Sequence, residues 1–397
     1  MKIAYATTYD VRNAATWSKF KQGNYGSNRF IAMTLENEGI DIDYLGPLEK
    51  RYRWLTRSKW LYHRHISKQV YYSWAETAIC KNYAHQFARK LKQSSADLVL
   101  ATEGANPIAY LTCSQPLVLW VDTFVAELID YYPYLKNLCA ETRKSILTYE
   151  KRALDYCALI IVTSDWAKQS AIKHYGIDAN KIVILPRGAN IELAPGRTLD
   201  DVKTLIAARP QAPCKLLFSA ISWQRKGGDI AVKVAEWLNE QGLDTELIVL
   251  GCKPPLNPLP PFVKAVGYID KSTEAGRAEL LNWVAGAHFL ILPTREDCAP
   301  NVLIEANAFG VPCLTTNIAG IPTVVRSDVN GEMFDLDAPI EAYGKYVAAY
   351  MGDRAAYDRL AVDAFMEYQN RLNWKVVGQQ AKAYFEKILR GVDYSDF

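Results

Sequence analysis

The sequence has 397 residues, of which 50% are apolar and 22% charged, the profile of a globular protein with substantial cores. A chain of about two to three typical domain lengths favours two domains. Its 46 lysines and arginines nearly balance its 43 aspartates and glutamates. The resulting net charge of +3 excludes a uniformly basic surface of the kind that binds nucleic acid.

Apolar stretches are short throughout the sequence. None approaches the roughly 18 residues that a membrane-spanning helix needs, and the first segment, MKIAYATTYD, predicts a strand rather than a signal peptide. The eight cysteines are scattered, without C-x-x-C spacing. This pattern argues against a zinc or thioredoxin-like site and favours free thiols in a reducing cytoplasm.

Short β-branched segments alternate with longer segments of helical periodicity. Continuous apolar runs suit strands that are buried on both faces of a parallel sheet, so the pattern predicts an α/β protein. The predicted strands cover residues 2–6, 97–101, 117–121, 159–163 and 181–185, and then, after a break, residues 215–220, 245–251, 288–294 and 312–316.

The break between the two groups of strands is punctuated by prolines at positions 186, 195, 210 and 213. We therefore expect a Rossmann-like domain over 1–190, a linker over 191–213 and a second Rossmann-like domain over 214–372. Two such doubly wound domains are expected to face each other across a ligand-binding cleft. Residues 373–397 are expected to supply an amphipathic helix that packs back on the N-terminal domain.

Candidate site residues are concentrated in the segment 291–322. A predicted strand is followed by a loop that carries Asp297, and Pro300 then opens a predicted helix over 301–309 that carries Glu305. A helix N-terminus suits a phosphate, and carboxylates beside it suit the hydroxyl groups of a sugar. The alternative is structural: Asp297 caps the helix and Glu305 lies on a solvated face.

A second candidate segment follows the predicted strand 215–220. Arg225 and Lys226 precede two glycines and a helix that Asp229 opens. Adjacent cations with glycines that permit a close backbone approach suit a diphosphate. An exposed basic turn is the alternative.

The first strand is followed by a long turn without G-x-G-x-x-G, which argues against a dinucleotide-binding dehydrogenase. Gly26 and Ser27 are expected in a loop that approaches a ligand before a helix begins. Asp122 directly follows the buried strand 117–121, a position that suits a site acid and equally a loop cap.

Together these segments resemble the retaining glycosyltransferases of family 4, which have the GT-B fold. The chain keeps the family's Pro293-Thr294, Glu305-Ala306, Gly310-Val311-Pro312 and Gly320-Ile321-Pro322. It departs from the family at Asp297, where glutamate is usual, and at residues 298–300, where Gly-Phe-Gly is usual. The family's arginine before the phosphate-loop lysine is Ile221 here, so Arg225 is expected to take its role.

The resemblance implies transfer of a sugar from a UDP- or GDP-sugar to a hydroxyl acceptor with retention, without a cofactor or metal. Glu305 would bind the ribose hydroxyls, Asp297 the transferred sugar, and Arg225 and Lys226 the diphosphate. Further donor contacts would come from Gly26, Ser27, Tyr268, Ala299, Pro300, Asn301 and Val302, and an acceptor-side contact from Asp122. Two Asp-x-Asp spacings, at 41–43 and 335–337, are interpreted as loop residues rather than a metal site.

Three alternatives in function stay open: a GT-B phosphorylase, an epimerase, and a non-catalytic protein that binds a nucleotide-sugar. The acceptor would be a small molecule, a glycan or a lipid-linked sugar. Residues 50–64 contain six Lys/Arg and four Trp/Tyr but no acid. They suit peripheral contact with an anionic membrane, or an ordinary solvated helix; nucleic acid is not expected as a partner.

Overall fold

The computed structural model describes residues 1–17, 22–191, 197–271 and 273–391. The predicted first turn, the linker and the C-terminal segment therefore lie partly outside the described residues. The chain divides into two compact units. The first comprises Met1–Pro186 and the segment that begins at Trp374, and the second is Arg187–Asn373.

The first unit is built on a six-stranded parallel sheet with the strand order β2-β1-β3-β4-β5-β6. Its strands are β1 (Lys2–Ala6), β2 (Asp41–Tyr44), β3 (Leu98–Ala101), β4 (Leu117–Val121), β5 (Leu159–Val162) and β6 (Ile182–Ile184). Its helices are α1 (Gln22–Asn37), α2 (Arg53–Tyr62), α3 (Thr77–Leu91), α4 (Val125–Leu128), α5 (Ala140–Tyr156) and α6 (Asp165–Tyr175). All five predicted strands are confirmed to within one residue, and every residue of β3, β4 and β5 is buried.

The second unit repeats this architecture with the strand order β12-β11-β10-β7-β8-β9. Its strands are β7 (Cys214–Ser219), β8 (Thr245–Leu250), β9 (Val263–Gly267), β10 (Phe289–Leu292), β11 (Cys313–Thr316) and β12 (Gly331–Phe334). Its helices are α7 (Leu199–Ala207), α8 (Gly228–Glu240), α9 (Glu274–Ala285), α10 (Asn301–Asn307), α11 (Ile321–Val324), α12 (Ile340–Gly352) and α13 (Arg354–Arg371). The four predicted strands are confirmed to within two residues. The fold class is therefore α/β, with two doubly wound parallel sheets.

The predicted linker contains an element of the second unit's core. Helix α7 is held at its N-terminus by reciprocal hydrogen bonds between Thr198 and Asp201, and it buries Val202 and Ile206 completely or nearly so. The helix was missed because it is only nine residues long and lies in a segment punctuated by prolines, although its apolar residues recur at helical spacing. The chain passes between the two units at Pro186–Arg187 and again at Asn373–Trp374, outside the predicted linker.

The last helix, α14 (Trp374–Leu389), belongs to the first unit. Its residues Val377, Ala381 and Phe385 are fully buried in the core that covers β1 and β3. Gly378 lies against α1, where a Cβ would overlap the methyl group of Thr34. Among the described residues, no helix is both long enough and apolar enough to cross a membrane.

In each sheet the direction of strand addition reverses once. The reversal lies between β1 and β3 in the first unit and between β7 and β10 in the second. Doubly wound sheets bind ligands at the carboxyl ends of the two strands that flank such a reversal. The loops after β1 and β3, and those after β7 and β10, are therefore where a site is expected.

Candidate active site

Two of the predicted segments meet at the reversal in the second unit. The ammonium of Lys226, in the turn after β7, contacts the carboxylate of Asp297, in the loop after β10. Their side chains are only 12% and 13% exposed. Arg225 joins the same two loops, since its Nη1 donates to the carbonyl of Glu296 at 2.7 Å. The basic turn and the acidic loop are thus one site.

Two glycines let the basic turn pack tightly. Gly227 has a φ of 78°, and a Cβ there would overlap the carbonyl oxygen of Pro293. A Cβ at Gly228 would overlap the indole ring of Trp223, which covers the first turn of α8. The glycines are therefore required by the packing of the turn itself, and Trp223 has a structural role.

An ion pair joins helix α8 to the acidic loop. It was not predicted from the sequence. Arg295 donates two hydrogen bonds to the carboxylate of Asp229, both at 2.8 Å. The hydrogen bond from the Arg295 guanidinium holds the pKa of Asp229 below its usual range, so Asp229 is a carboxylate at neutral pH. This pair fixes the geometry of the Lys226 turn.

The two acids of the 291–322 segment are buried, with Asp297 9% and Glu305 6% exposed. The structural alternative is wrong for Glu305, which is buried and does not lie on a solvated face. Pro300 occupies the position before α10, where it makes no side-chain cap, and Glu305 does not face solvent. Asp297 Oδ1 accepts a hydrogen bond from the backbone N–H of Cys298. The Nζ of Lys271 lies 3.6 Å from Glu305 Oε2.

The remaining predicted donor residues of the second unit lie at the same edge of the sheet. Ala299 and Pro300 are buried in the loop before α10, and Asn301 and Val302 form its first turn. Tyr268 directly follows β9 and is 72% exposed. Helix α10 ends at Asn307, two residues before its predicted end at residue 309, because residues 308–310 form a turn.

In the first unit, the prediction that Gly26 and Ser27 lie in a loop is wrong. Both lie in α1, which begins at Gln22. Ser27 is fully buried, and its hydroxyl donates to the carbonyl of Gly23 at 3.1 Å, one helical turn earlier. That bond uses the hydroxyl proton of Ser27 within the helix. A Cβ at Gly26 would meet no heavy atom within 4 Å.

Asp122 follows β4, as predicted, and is half-buried. Its Oδ1 accepts a hydrogen bond from the hydroxyl of Thr163, which follows β5, at 2.7 Å. The carboxylate therefore ties two neighbouring strand ends together.

The reversal in the first unit contains an acid that sequence analysis did not single out. Glu103, after β3, accepts hydrogen bonds from the backbone N–H of Thr8 at 2.7 Å and from its hydroxyl at 2.7 to 2.8 Å. Thr8 follows β1. The signal was present in the sequence, since Thr-Glu follows the predicted strand 97–101 as Thr-Thr follows 2–6.

Aromatic rings lie beside Glu103. The rings of Tyr9 and Tyr25 are stacked with centroids 3.6 Å apart, and Trp17 meets both edge-on. Burial, together with the negative charge of Glu103, raises the pKa of Tyr25 to about 12. These tyrosines are therefore neutral hydrogen-bonding groups rather than acids.

The prediction that both Asp-x-Asp pairs are loop residues is confirmed for 335–337 and wrong for 41–43. Asp41 and Asp43 are part of strand β2 rather than a loop, and Asp335 and Asp337 directly follow β12, exposed. Within the described ranges, no three His, Cys, Asp or Glu side chains converge as a possible metal site. His288, buried in a core, has its pKa lowered to about 4 by desolvation and is structural.

Two glycosyltransferase family models match this chain. Residues 32–193 match the model of the family "Glycosyltransferase Family 4", and residues 213–353 match "Glycosyl transferases group 1"; together they cover about three quarters of the chain. A D-inositol 3-phosphate glycosyltransferase of Paenarthrobacter aurescens is 24% identical over 47% of this chain and 47% of its own. The chain thus matches about half the length of such curated relatives.

Solved structures share the fold over nearly the whole chain. A sucrose-phosphate synthase from Thermosynechococcus elongatus has a TM-score of 0.67 at 15% identity, covering 98% of this chain and 99% of its own. Anabaena HepE in complex with UDP has a TM-score of 0.61 at 13% identity, covering 97% and 99%. The architecture is that of the GT-B glycosyltransferases, and the chain belongs to the family 4 type of these proteins.

Proposed function

We propose that this protein transfers a sugar from a nucleotide-diphosphate-sugar to a hydroxyl acceptor. The contact between Lys226 and Asp297 carries the proposal, because it joins the basic turn to the acidic loop at the strand reversal of the second unit. Cations for a diphosphate and carboxylates for sugar hydroxyls are thereby held in one place. Family membership supports the same activity.

The donor would be held by groups of the second unit. Glu305, buried and ionisable, would accept hydrogen bonds from the ribose hydroxyls, and Asp297 would accept them from hydroxyls of the transferred sugar. Arg225 and Lys226 would bind the diphosphate. Because Asp297 already holds Lys226 in position, the ammonium would need little reorganisation to meet the phosphate.

Secondary donor contacts would come from the edge of the same sheet. The exposed ring of Tyr268 would lie against the nucleobase, and the backbone from Ala299 to Val302 would contact sugar and phosphate. In the first unit, Gly26 and Ser27 of α1 stay candidates for a phosphate contact. UDP is the first nucleotide to test, since HepE, which shares the fold, was solved with UDP.

The reaction would proceed with retention at the anomeric carbon. The bond from that carbon to the diphosphate oxygen breaks, and the acceptor oxygen forms a new bond on the same face of the sugar. The acceptor's proton passes to the departing phosphate oxygen. The main demand is to stabilise charge on the leaving diphosphate, for which two fixed cations suffice without a metal.

The acceptor would be bound by groups of the first unit. Glu103 and Asp122 follow neighbouring strands β3 and β4 and present carboxylate oxygens at one edge of the sheet. Carboxylates are the acceptors that sugar and polyol hydroxyls prefer. A small polyol, a glycan and a lipid-linked sugar all fit this chemistry.

Thermal-shift and calorimetric measurements with UDP, GDP, dTDP and ADP test the proposal. A nucleotide at 100 times its dissociation constant adds about 2.7 kcal/mol to the free energy of unfolding. We expect one nucleotide to act selectively, with the effect lost in Glu305→Gln and Arg225→Ala and kept in Lys375→Gln, a control on the exposed side of α14. Stabilisation by none of the four would contradict the donor site.

Turnover distinguishes the alternatives. Release of free nucleotide that requires an added hydroxyl acceptor supports transfer. Selective binding without turnover on any acceptor would support a non-catalytic protein, and sugar release by inorganic phosphate would support a phosphorylase. Activity that persists after exhaustive treatment with EDTA supports the metal-free mechanism.

A further inference from the structure

Helix α2 and the single π turn that follows it, His63–Ser67, carry large apolar side chains on their outer surface. Trp54 is 73% and Ile66 69% exposed. Further residues at least two fifths exposed are Tyr52, Trp60, Leu61 and Tyr62. Helices of globular proteins ordinarily bury such residues against a core, so this arrangement requires an explanation.

The opposite side of α2 is polar and anchored. The Nζ of Lys59 lies 2.9 Å from a carboxylate oxygen of Glu76 and also contacts Glu141, at the start of α5. Thr56 is the buried residue of the helix. Trp54, Arg57 and Leu61 are spaced by three and four residues and so lie on one side, about opposite to Thr56 and Lys59. The ion pairs therefore hold the tryptophan side outwards.

Positive charge accompanies the exposed rings. From Lys50 to Lys68 the sequence has no acidic residue, although the whole chain carries only +3. Arg53, Arg57 and Arg64 are exposed, and the guanidinium of Arg64 lies 4.8 Å from the ring centre of Trp60. The surface formed by Trp54, Arg57, Trp60, Leu61, Arg64 and Ile66 is called the α2 face below.

We propose that the α2 face binds the surface of a lipid bilayer that contains anionic lipids. Arginines complement the negative headgroups, while tryptophan rings and aliphatic side chains suit the boundary between headgroups and acyl chains. The cations could also bind the phosphates of a nucleic acid, but Leu61 and Ile66 would then stay exposed to water. This inference is independent of the proposed sugar transfer.

Vesicle flotation with the full chain tests the proposal. We expect binding to vesicles of phosphatidylcholine mixed with phosphatidylglycerol, and little binding to phosphatidylcholine alone. Arg57→Gln should lower the partition coefficient about fivefold, since a cation near such a surface contributes about 1 kcal/mol. Trp54→Ser should lower it about tenfold through lost apolar burial.

Matched controls are available on other surfaces. Lys375→Gln removes one exposed cation elsewhere, and Leu336→Ser removes an apolar side chain that is 54% exposed; neither should alter partitioning. Circular dichroism checks that each variant is folded. Equal binding to both vesicle types, no binding to either, or equal losses in controls and α2-face variants would each overturn the proposal. So would tight binding to single-stranded RNA without binding to vesicles.

Discussion

Lys226 and Asp297 are 71 positions apart in the sequence, yet their side chains contact each other where β7 and β10 end. Both are nearly buried. The carboxylate that we propose for the sugar and the cation that we propose for the diphosphate are thus mutually dependent, because each compensates the desolvation of the other.

Breaking this pair should be costly on either side. Lys226→Met and Asp297→Asn should each lower the free energy of unfolding by about 3 kcal/mol, because each leaves an uncompensated charge in a buried place. The double variant should lose clearly less than the sum. Urea unfolding of all four proteins measures the coupling, and additive losses would show that the two groups do not interact.

Glu305 should determine recognition of the ribose. If its carboxylate accepts the ribose hydroxyls, the wild-type protein binds UDP about tenfold more tightly than 2′-deoxy-UDP, since a hydrogen bond to a charged group contributes about 1.5 kcal/mol. Glu305→Gln should reduce this preference. Lys375→Gln, on the exposed side of α14, is the control. Calorimetry that finds an unchanged preference in Glu305→Gln would remove Glu305 from the ribose site.

The sequence was a good guide to the buried parts of this fold. A strand that is buried on both faces has a continuous apolar sequence. Nine strands could be predicted from such runs. Three edge strands, β2, β9 and β12, could not be predicted, because they are only partly buried and so lack a continuous apolar run. Continuous apolar runs also do not specify strand order, and the pairing of Glu103 with Thr8 depends on that order.

The site residues that lie together in one sequence segment could be predicted. Asp297 and Glu305 lie eight residues apart in one segment, whereas Lys271 and Arg295 become part of the site only through contacts with distant residues. The prediction of a loop at Gly26 and Ser27 was wrong for a local reason. Gly26 suggested a loop, but the hydroxyl of Ser27 bonds to the preceding helical turn and the helix continues.

Glu103 should act on the acceptor and leave the donor unaffected. Glu103→Gln keeps the size of the side chain but removes the charge that orders the loop of Thr8, and we expect a loss of about 1–2 kcal/mol in stability. Nucleotide affinity should be unchanged, while the KM for the acceptor should rise. A large loss of nucleotide affinity would instead assign Glu103 to the donor.

Two glycines should respond in opposite ways to alanine. Gly227→Ala should destabilise the second unit by well over 1 kcal/mol, because φ is positive and the new methyl group would overlap Pro293. Gly26→Ala should stabilise α1 by about 0.5–1 kcal/mol, since the space around it is open and alanine favours helix. Unfolding curves measure both effects.

If the backbone of Gly26 contacts the donor phosphates, the same Gly26→Ala variant should bind the nucleotide-sugar more weakly although it is more stable. Loss of affinity in a stabilised protein cannot result from misfolding. Unchanged affinity in calorimetry would exclude Gly26 from the donor site.

Glu150 should make the stability of the first unit depend on pH. It is buried beneath α4, where it accepts hydrogen bonds from the backbone N–H groups of Val125 (2.7 Å) and Ala126 (3.1 Å) and from the hydroxyl of Tyr175. Desolvation raises the pKa of its carboxyl from 4.5 to about 7, in spite of these donors.

Between pH 4.5 and 7 the folded chain therefore binds more protons at Glu150 than the unfolded chain does, and stability falls as the pH rises through this window. The whole effect amounts to about 3 kcal/mol, from 1.36 kcal/mol per pKa unit. Glu150→Gln should remove this slope, whereas Glu236→Gln, on the exposed side of α8, should keep it. Urea unfolding at closely spaced pH values measures the slope, and an identical slope in wild type and Glu150→Gln would mean that the carboxyl titrates near its ordinary pKa.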